Sequence, residues 1–272
     1  MVALAQRSRA VQASALASGA LVPLATEVLP LPGCDPFVVR RLISATPKHL
    51  KRAGPKANPF RPWDPRLEVE QLHQHVVLLN KYPVQPGHLL LINNHWAPQN
   101  GWLQQQDWSA VIELWRQQDG LWFFNSCPEA GASQPHRHLQ LLPRQAKEAS
   151  CPLVNHLNGT DGSGSTAWGG AMASRSIPAP SELQAEHLVE AYQELAHELG
   201  FGDPELDSKP QGFYNLLFAS GWMAMVTRSR ESHAGFSVNA LGFAGYLLAT
   251  EGCNLQWLQQ HGPLELLAAV SG

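Results

Sequence analysis

The sequence is short of charge and lacks paired cysteines. Charged residues make up 15% of its 272 residues and hydrophobic residues 44%; soluble chains average roughly 25% charged. That composition excludes a disordered polyelectrolyte, and the length allows one large domain or two interlocked halves around a sizeable core. A formal net charge of −3 supplies no global positive field, so no nucleic-acid partner is expected and an anionic ligand must meet a local basic site. Cys34, Cys127, Cys151 and Cys253 form no Cys-x-x-Cys pair. Their scatter suggests neither a disulfide framework nor a zinc ribbon, and a reducing cytoplasm fits it best. No run of about 18 apolar residues is present, so no membrane partner is expected and the chain reads as soluble.

Before Glu27 there is no acid, and Arg7 and Arg9 lie among serines and alanines. The stretch reads either as an N-terminal helix, stopped by Gly19 and Pro23, or as a transit-like peptide. From Ile43 to Pro65, Pro47, Pro55, Pro59, Pro62 and Pro65 forbid a long helix around Lys48, Lys51, Arg52, Lys56 and Arg61. The result is a basic, extended arm. Residues 75–81 and 88–92 read as two strands about a Pro86-Gly87 turn. Trp108, Val111, Ile112 and Trp115 repeat at helical spacing, and their indoles read as core. Residues 121–125 read as a strand, 127–135 as turns and 136–142 as an alternating strand.

Residues 158–180 are rich in glycine and serine and read as a mobile connection. This divides the chain into an N-terminal half, 1–170, and a C-terminal half, 181–272. Ser181 with Gln184 suggests a capping box ahead of a helix that Gly200 closes, and 212–218 with 222–226 reads as a second hairpin.

The chemistry concentrates in Asn125-Ser-Cys-Pro-Glu-Ala-Gly131-Ala132-Ser133-Gln134-Pro-His136-Arg-His138-Leu-Gln140. On a strand the side chains alternate, so His136, His138 and Gln140 share one face while Arg137, Leu139 and Leu141 take the other. The small residues just before them allow backbone amides to close around an anion. Imidazoles beside an anion nest point to phosphoryl chemistry, in which a neutral histidine attacks phosphorus and splits one transfer into two displacements. His138 is central on that face. Gln140 can donate to a phosphate oxygen but cannot titrate, which favours transfer to an acceptor over hydrolysis. Three other readings stay open: metal ligation by the His-x-His pair as in cupin-like barrels, a buried and merely satisfied histidine pair, and Cys127 as a thiol nucleophile.

The stretch from Asn125-Ser126 through Gly131-Ala-Ser-Gln-Pro-His136-Arg-His138-Leu-Gln140 resembles the signature of the diadenosine tetraphosphate phosphorylases, or ATP adenylyltransferases. These belong to the histidine-triad superfamily, in the branch whose triad ends in glutamine, as in galactose-1-phosphate uridylyltransferase. The resemblance extends to Gly19-Ala-Leu-Val-Pro23, Asn58-Pro-Phe60, Leu79-Asn80-Lys81, Pro86-Gly87-His88-Leu-Leu-Leu91, Tyr214-Asn-Leu-Leu217, Trp222-Met223, Arg228-Ser229 and Ser237-Val-Asn239-Ala-Leu-Gly242-Phe-Ala-Gly245.

It implies an α+β fold with two related halves around an antiparallel sheet flanked by helices. The implied activity is reversible phosphorolysis of diadenosine tetraphosphate with phosphate to ATP and ADP, through a nucleotidyl-histidine. On that carry-over His138 is the nucleophile and His136 orients or polarises. Asn125, Gly131, Ala132, Ser133, Gln134 and Gln140 hold phosphates, and Asn80 and Lys81 contact nucleotide. Lys51, with Arg52 and Lys56 close in register, stands for the family's N-terminal substrate lysine; Asn215, Met223 and Arg228 are substrate contacts from the C-terminal half. The implied partners are small molecules alone, for a monomer or homodimer. No cofactor is tightly bound; Mg2+ accompanies the polyphosphate, and no structural zinc is expected. Cys127 stands where relatives commonly have glycine and would narrow the phosphate pocket. It is the one feature favouring a second reading, a sensor that binds dinucleoside polyphosphates without turnover.

Overall fold

The computed structural model describes residues 3–44, 60–144, 150–159, 168 and 170–272. Lys48, Lys51, Arg52 and Lys56 of the basic arm lie outside the described residues. In chain order the elements are α1 (Leu4–Ala17), β1 (Thr26–Val28), β2 (Val38–Leu42), β3 (Glu68–Gln71), β4 (His75–Leu79), β5 (Leu89–Asn93), α2 (Gln105–Trp115), β6 (Gly120–Asn125) and β7 (His138–Pro143). There follow α3 (Val154–Leu157), β8 (Met172–Ser176), α4 (Ala185–Glu198), β9 (Phe213–Ala219), β10 (Trp222–Arg228), β11 (Ser232–His233), β12 (Phe236–Ser237), α5 (Ala240–Phe243), β13 (Tyr246–Ala249), α6 (Leu255–His261) and α7 (Pro263–Val270).

The centre is an eight-stranded antiparallel sheet in the order β3-β4-β5-β7-β6-β9-β10-β8. Strands β6 and β9 join its two parts, with Asn125 opposite Asn215 and Trp122 opposite Phe218. Alternation along the strands separates two apolar faces. Trp122, Phe124, Leu139, Leu141, Leu216 and Phe218 pack in one core with Trp108 and Trp115 of α2 and Leu188 and Leu195 of α4. Leu121, Phe123 and Leu217 enter a second core, with Val39 of β2, Phe243 and Leu247. That second core is roofed by a small sheet, in which β2 pairs antiparallel with β1 and parallel with β13. Val76, Leu78 and Ile92 form a third apolar patch with Phe60 and Trp63.

The N-terminal stretch is a helix. α1 buries Leu4 and Ala15, and its Arg7 pairs with Glu70 of β3. Trp108 and Trp115 are core, as their spacing suggests. Three readings need correction. Residues 172–176, taken as part of the connection, form the edge strand β8 against β10; their alanine and serine content gives no strand pattern, and pairing with β10 overrides it. The cap of α4 is Gln184 with His187, not Ser181 with Gln184: the His187 ring nitrogen Nδ1 accepts from the Gln184 amide at 3.1 Å. Strand β7 starts at His138. His136 makes only a single bridge, to Pro98, because residues 97–99 pair with 135–137 there.

Candidate active site

β7 lies between β5 and β6, and its register places His138 opposite Ile92 and Gln140 opposite Leu90 and Phe123. The two polar side chains therefore sit on the face away from α2 and α4, while Leu139 and Leu141 fill the helix-side core. Arg137 points the same way as those leucines and pairs with Asp107 of α2 at 3.1 Å. The anticipated division of faces holds from Arg137 to Leu141.

His138 is buried, and its Nδ1 lies 2.8 Å from the backbone carbonyl of His136. A carbonyl only accepts, so Nδ1 carries the proton and Nε2 keeps its lone pair on the pocket side. Burial pushes the imidazole pKa down to about 4. It is neutral and nucleophilic near pH 7. The Phe60 ring meets it edge-on, with centroids 5.4 Å apart.

The His136 side chain acts differently from expectation. Its Nε2 donates to the Asn93 carbonyl at 2.8 Å, its Nδ1 accepts from the Ala97 amide at 3.2 Å, and its ring stacks on Trp96. With both nitrogens engaged by backbone, it does not line the pocket. What reaches His138 is the His136 carbonyl.

The pocket holds about 300 Å³ and is lined by His138, Gln140, Asn125, Asn80, Gly131 and Ser133, among others. Asn125 Oδ1 accepts from the Ala240 amide at 2.9 Å and from Asn215 Nδ2 at 2.8 Å. Its oxygen is occupied, so its NH2 is the end presented to the pocket. Gly131 turns the preceding loop at φ +85, and a Cβ there would come within 2.6 Å of Asn239 Cβ. Only glycine lets the loop approach the C-terminal half so closely. Ala132 and Gln134 belong to the same loop but do not line the pocket.

The C-terminal candidates separate. Asn215 is fully buried and holds Asn125 and the Ala130 carbonyl, rather than lining the pocket itself. Arg228, also buried, donates to Asn215 Oδ1 and to the carbonyls of Arg230, Glu231 and Val270. Burial lowers even this guanidinium, to about 10. Its donors face the protein, so it acts behind the site. Met223 lies in the helix-side core, on the opposite face of β10 from the pocket. In the N-terminal half, Lys81 is exposed, over the Tyr82 ring, and does not line the pocket.

Other residues carry no obvious sequence signal. Arg40 of β2 is the only lysine or arginine among the described lining residues, and it arrives from the small sheet. His88 is buried between Asn80 and Gln140, with its Nε2 3.0 Å from Gln140 Oε1. Buried Gln99 accepts from the His138 amide at 2.9 Å and donates to the Asn125 carbonyl at 2.6 Å. It substitutes for a ladder bond where β6 and β7 separate. Cys127 is buried and does not line the pocket, and burial pushes its thiol up to about 11. It is therefore neither a ready thiolate nor an obstruction in the pocket. Among the described residues no group of three or more His, Cys, Asp or Glu side chains could hold a metal ion.

A glycine-turned loop leads into an antiparallel strand that presents His138 and Gln140 to an amide-lined pocket. The chain belongs to the Ap4A phosphorylase family: the family model "Ap4A phosphorylase N-terminal domain" matches residues 2–158, and "ATP adenylyltransferase C-terminal domain" matches 165–272. Diadenosine 5',5'''-P1,P4-tetraphosphate phosphorylase 2 of Saccharomyces cerevisiae is 26% identical over 242 residues, covering 77% of this chain and 74% of that protein. The crystal structure of yeast Ap4A phosphorylase Apa2 superposes with a TM-score of 0.75 at 21% identity, covering 98% of this chain and 94% of that one. Its complex with Ap4A gives 0.73 at 20% identity, covering 98% and 97%. The structural likeness establishes the shared fold.

Proposed function

We propose that the protein is a nucleotidyltransferase that cleaves diadenosine tetraphosphate with phosphate to ATP and ADP, reversibly, through an AMP-histidine intermediate. The observation that carries this reading is the His138 ring: neutral, fixed at Nδ1 by a carbonyl, with Nε2 facing a pocket lined by amides. Nε2 attacks the α-phosphorus, forming an N–P bond as the bond to the departing ATP breaks. Positive charge then develops on the ring, and the His136 carbonyl stabilises it through Nδ1–H. Inorganic phosphate next attacks the same phosphorus; the N–P bond breaks, ADP leaves and neutral His138 is restored.

Asn125 and Gln140 donate to the phosphoryl oxygens, with the backbone of Gly131 to Ser133, and Arg40 brings the positive charge. Mg2+ would accompany the polyphosphate as part of the substrate and offset some of its charge. Lys51 remains a proposed substrate contact, and so does the division into a catalytic half, 1–170, and a C-terminal half, 181–272. The two family-model ranges support that division. The protein acts in the cytoplasm, as monomer or homodimer, on this reading. Incubation with diadenosine tetraphosphate and phosphate tests the function: ATP and ADP in equal amounts are expected, whereas an unchanged dinucleotide contradicts turnover and returns the protein to the sensor reading.

A further inference from the structure

We propose that His88 is a positioning residue that sets the polarity of Gln140, so that the glutamine presents its NH2 and not its oxygen to the transferring phosphoryl group. The role in transfer rests on the function proposed above; the polarity itself does not.

The chain of hydrogen bonds begins at a group that can act in only one sense. The Tyr82 backbone amide can only donate, and it lies 3.2 Å from Asn80 Oδ1. The Asn80 oxygen therefore faces Tyr82, and its NH2 faces His88 Nδ1, 3.1 Å away. An NH2 cannot accept, so Nδ1 must be the unprotonated nitrogen of His88. The ring's proton then sits on Nε2, 3.0 Å from Gln140. Nε2–H donates, so the Gln140 atom facing it is the oxygen. The remaining end of the carboxamide, the NH2, is left for the pocket that Gln140 lines.

Every link has a single permitted sense, so the backbone of Tyr82 dictates a donor beside His138. His88 is buried, which keeps it neutral and in one tautomer. Reversed, the same glutamine would turn an oxygen toward anionic phosphate oxygens. The consequence is a pair of opposite tautomers: His88 carries its proton on Nε2, and His138, which lines the same pocket, carries its proton on Nδ1.

Long-range proton–nitrogen NMR of the full-length protein, labelled in histidine, reads these tautomers without substrate. His88 protonated at Nε2 is expected; His88 protonated at Nδ1 overturns the proposal whatever the enzyme's substrate. In turnover of diadenosine tetraphosphate, His88→Phe is expected to lower kcat/KM by roughly 10- to 100-fold, the worth of one hydrogen bond to a charged group. His88→Gln carries an acceptor and a donor and is expected to recover most of that loss. The double variant His88→Phe/Gln140→Ala is expected to be no slower than Gln140→Ala alone, because the histidine acts through the glutamine. Fully additive losses, or wild-type turnover in His88→Phe, would overturn the role.

Discussion

The backbone carbonyl of His136 lies 2.8 Å from Nδ1 of His138, while the His136 ring itself is bound to Asn93 and Ala97. The first histidine thus serves the second through its main chain, and its imidazole anchors that main chain. Substituting the two histidines should have unequal effects. His138→Ala removes the nucleophile and is expected to abolish turnover. His136→Ala loosens the carbonyl without deleting it, so kcat is expected to fall roughly 10- to 100-fold, within reach of one misplaced charge-stabilising hydrogen bond. Single-turnover kinetics of the two variants checks this, and equal losses would contradict it.

Arg228 never reaches the pocket, yet it holds Asn215, which holds Asn125. Arg228→Met leaves Asn215 Oδ1 and the Arg230 carbonyl without their donor, while the Glu231 and Val270 carbonyls keep the amides of Val238 and Ser229. The expected cost is about 2 kcal/mol or more of stability, at ~1–3 kcal/mol per unsatisfied buried group, together with a loss of kcat/KM. Arg228→Lys is not expected to restore either, since an ammonium cannot span the four acceptors as a planar fork does. Urea denaturation alongside kinetics reads both quantities.

Gly131 and Gly19 form a matched comparison. Both have positive φ, +85 and +68, but a Cβ at Gly19 would meet nothing within 4 Å. Gly19→Ala is expected to cost only the left-handed strain, about 1–2 kcal/mol. Gly131→Ala carries that strain and also collides with Asn239, so it is expected to lose more stability and to raise KM by moving the phosphate loop. Similar losses in stability and KM for the two variants would contradict the close approach.

His88 and His138 are both pushed down to about 4 by burial, from an ordinary 6.5. The acid limb of kcat/KM is therefore expected near pH 4, where Nε2 becomes protonated, and not near 6.5. Stability follows the same groups. Between pH 6.5 and 4 the unfolded chain binds protons that the folded chain refuses, so stability falls as pH drops, on the order of 3 kcal/mol per histidine. Above pH 6.5 both states are neutral at these groups and their contribution is flat. Thermal melts from pH 4.5 to 8 are expected to show a shallower acid loss in His88→Phe than in the native chain.

Arg40→Gln removes the only guanidinium among the described lining residues. KM for diadenosine tetraphosphate is expected to rise about tenfold, the scale of one charge-assisted contact, with kcat less affected. An unchanged KM would assign the phosphate charge to other groups.

Much of this site was legible because a strand's period of two is a strong constraint. Residues 136–140 could be sorted between faces, and the small residues before them marked a loop able to approach an anion. The positions set away from the pocket depend on tertiary geometry. Met223 and Ala224 face opposite cores, and only the pairing of β10 with β9 decides which side each takes. Arg228 is a cation in the right segment, but its carbonyl partners come from 230, 231 and 270. Arg40 and Gln99 are brought in by β2 and by the 97–99 segment, far from the motif in sequence. His88 stood inside a recognised block, but its role appears only when the hydrogen-bond senses from Tyr82 to Gln140 are traced.

The most direct test of the central claim is mass spectrometry of the protein mixed with diadenosine tetraphosphate in the absence of phosphate. An AMP adduct on His138, discharged as ADP when phosphate is added and absent from His138→Asn, is the expected result. Turnover with no adduct on any histidine, or an adduct on another residue, would contradict it.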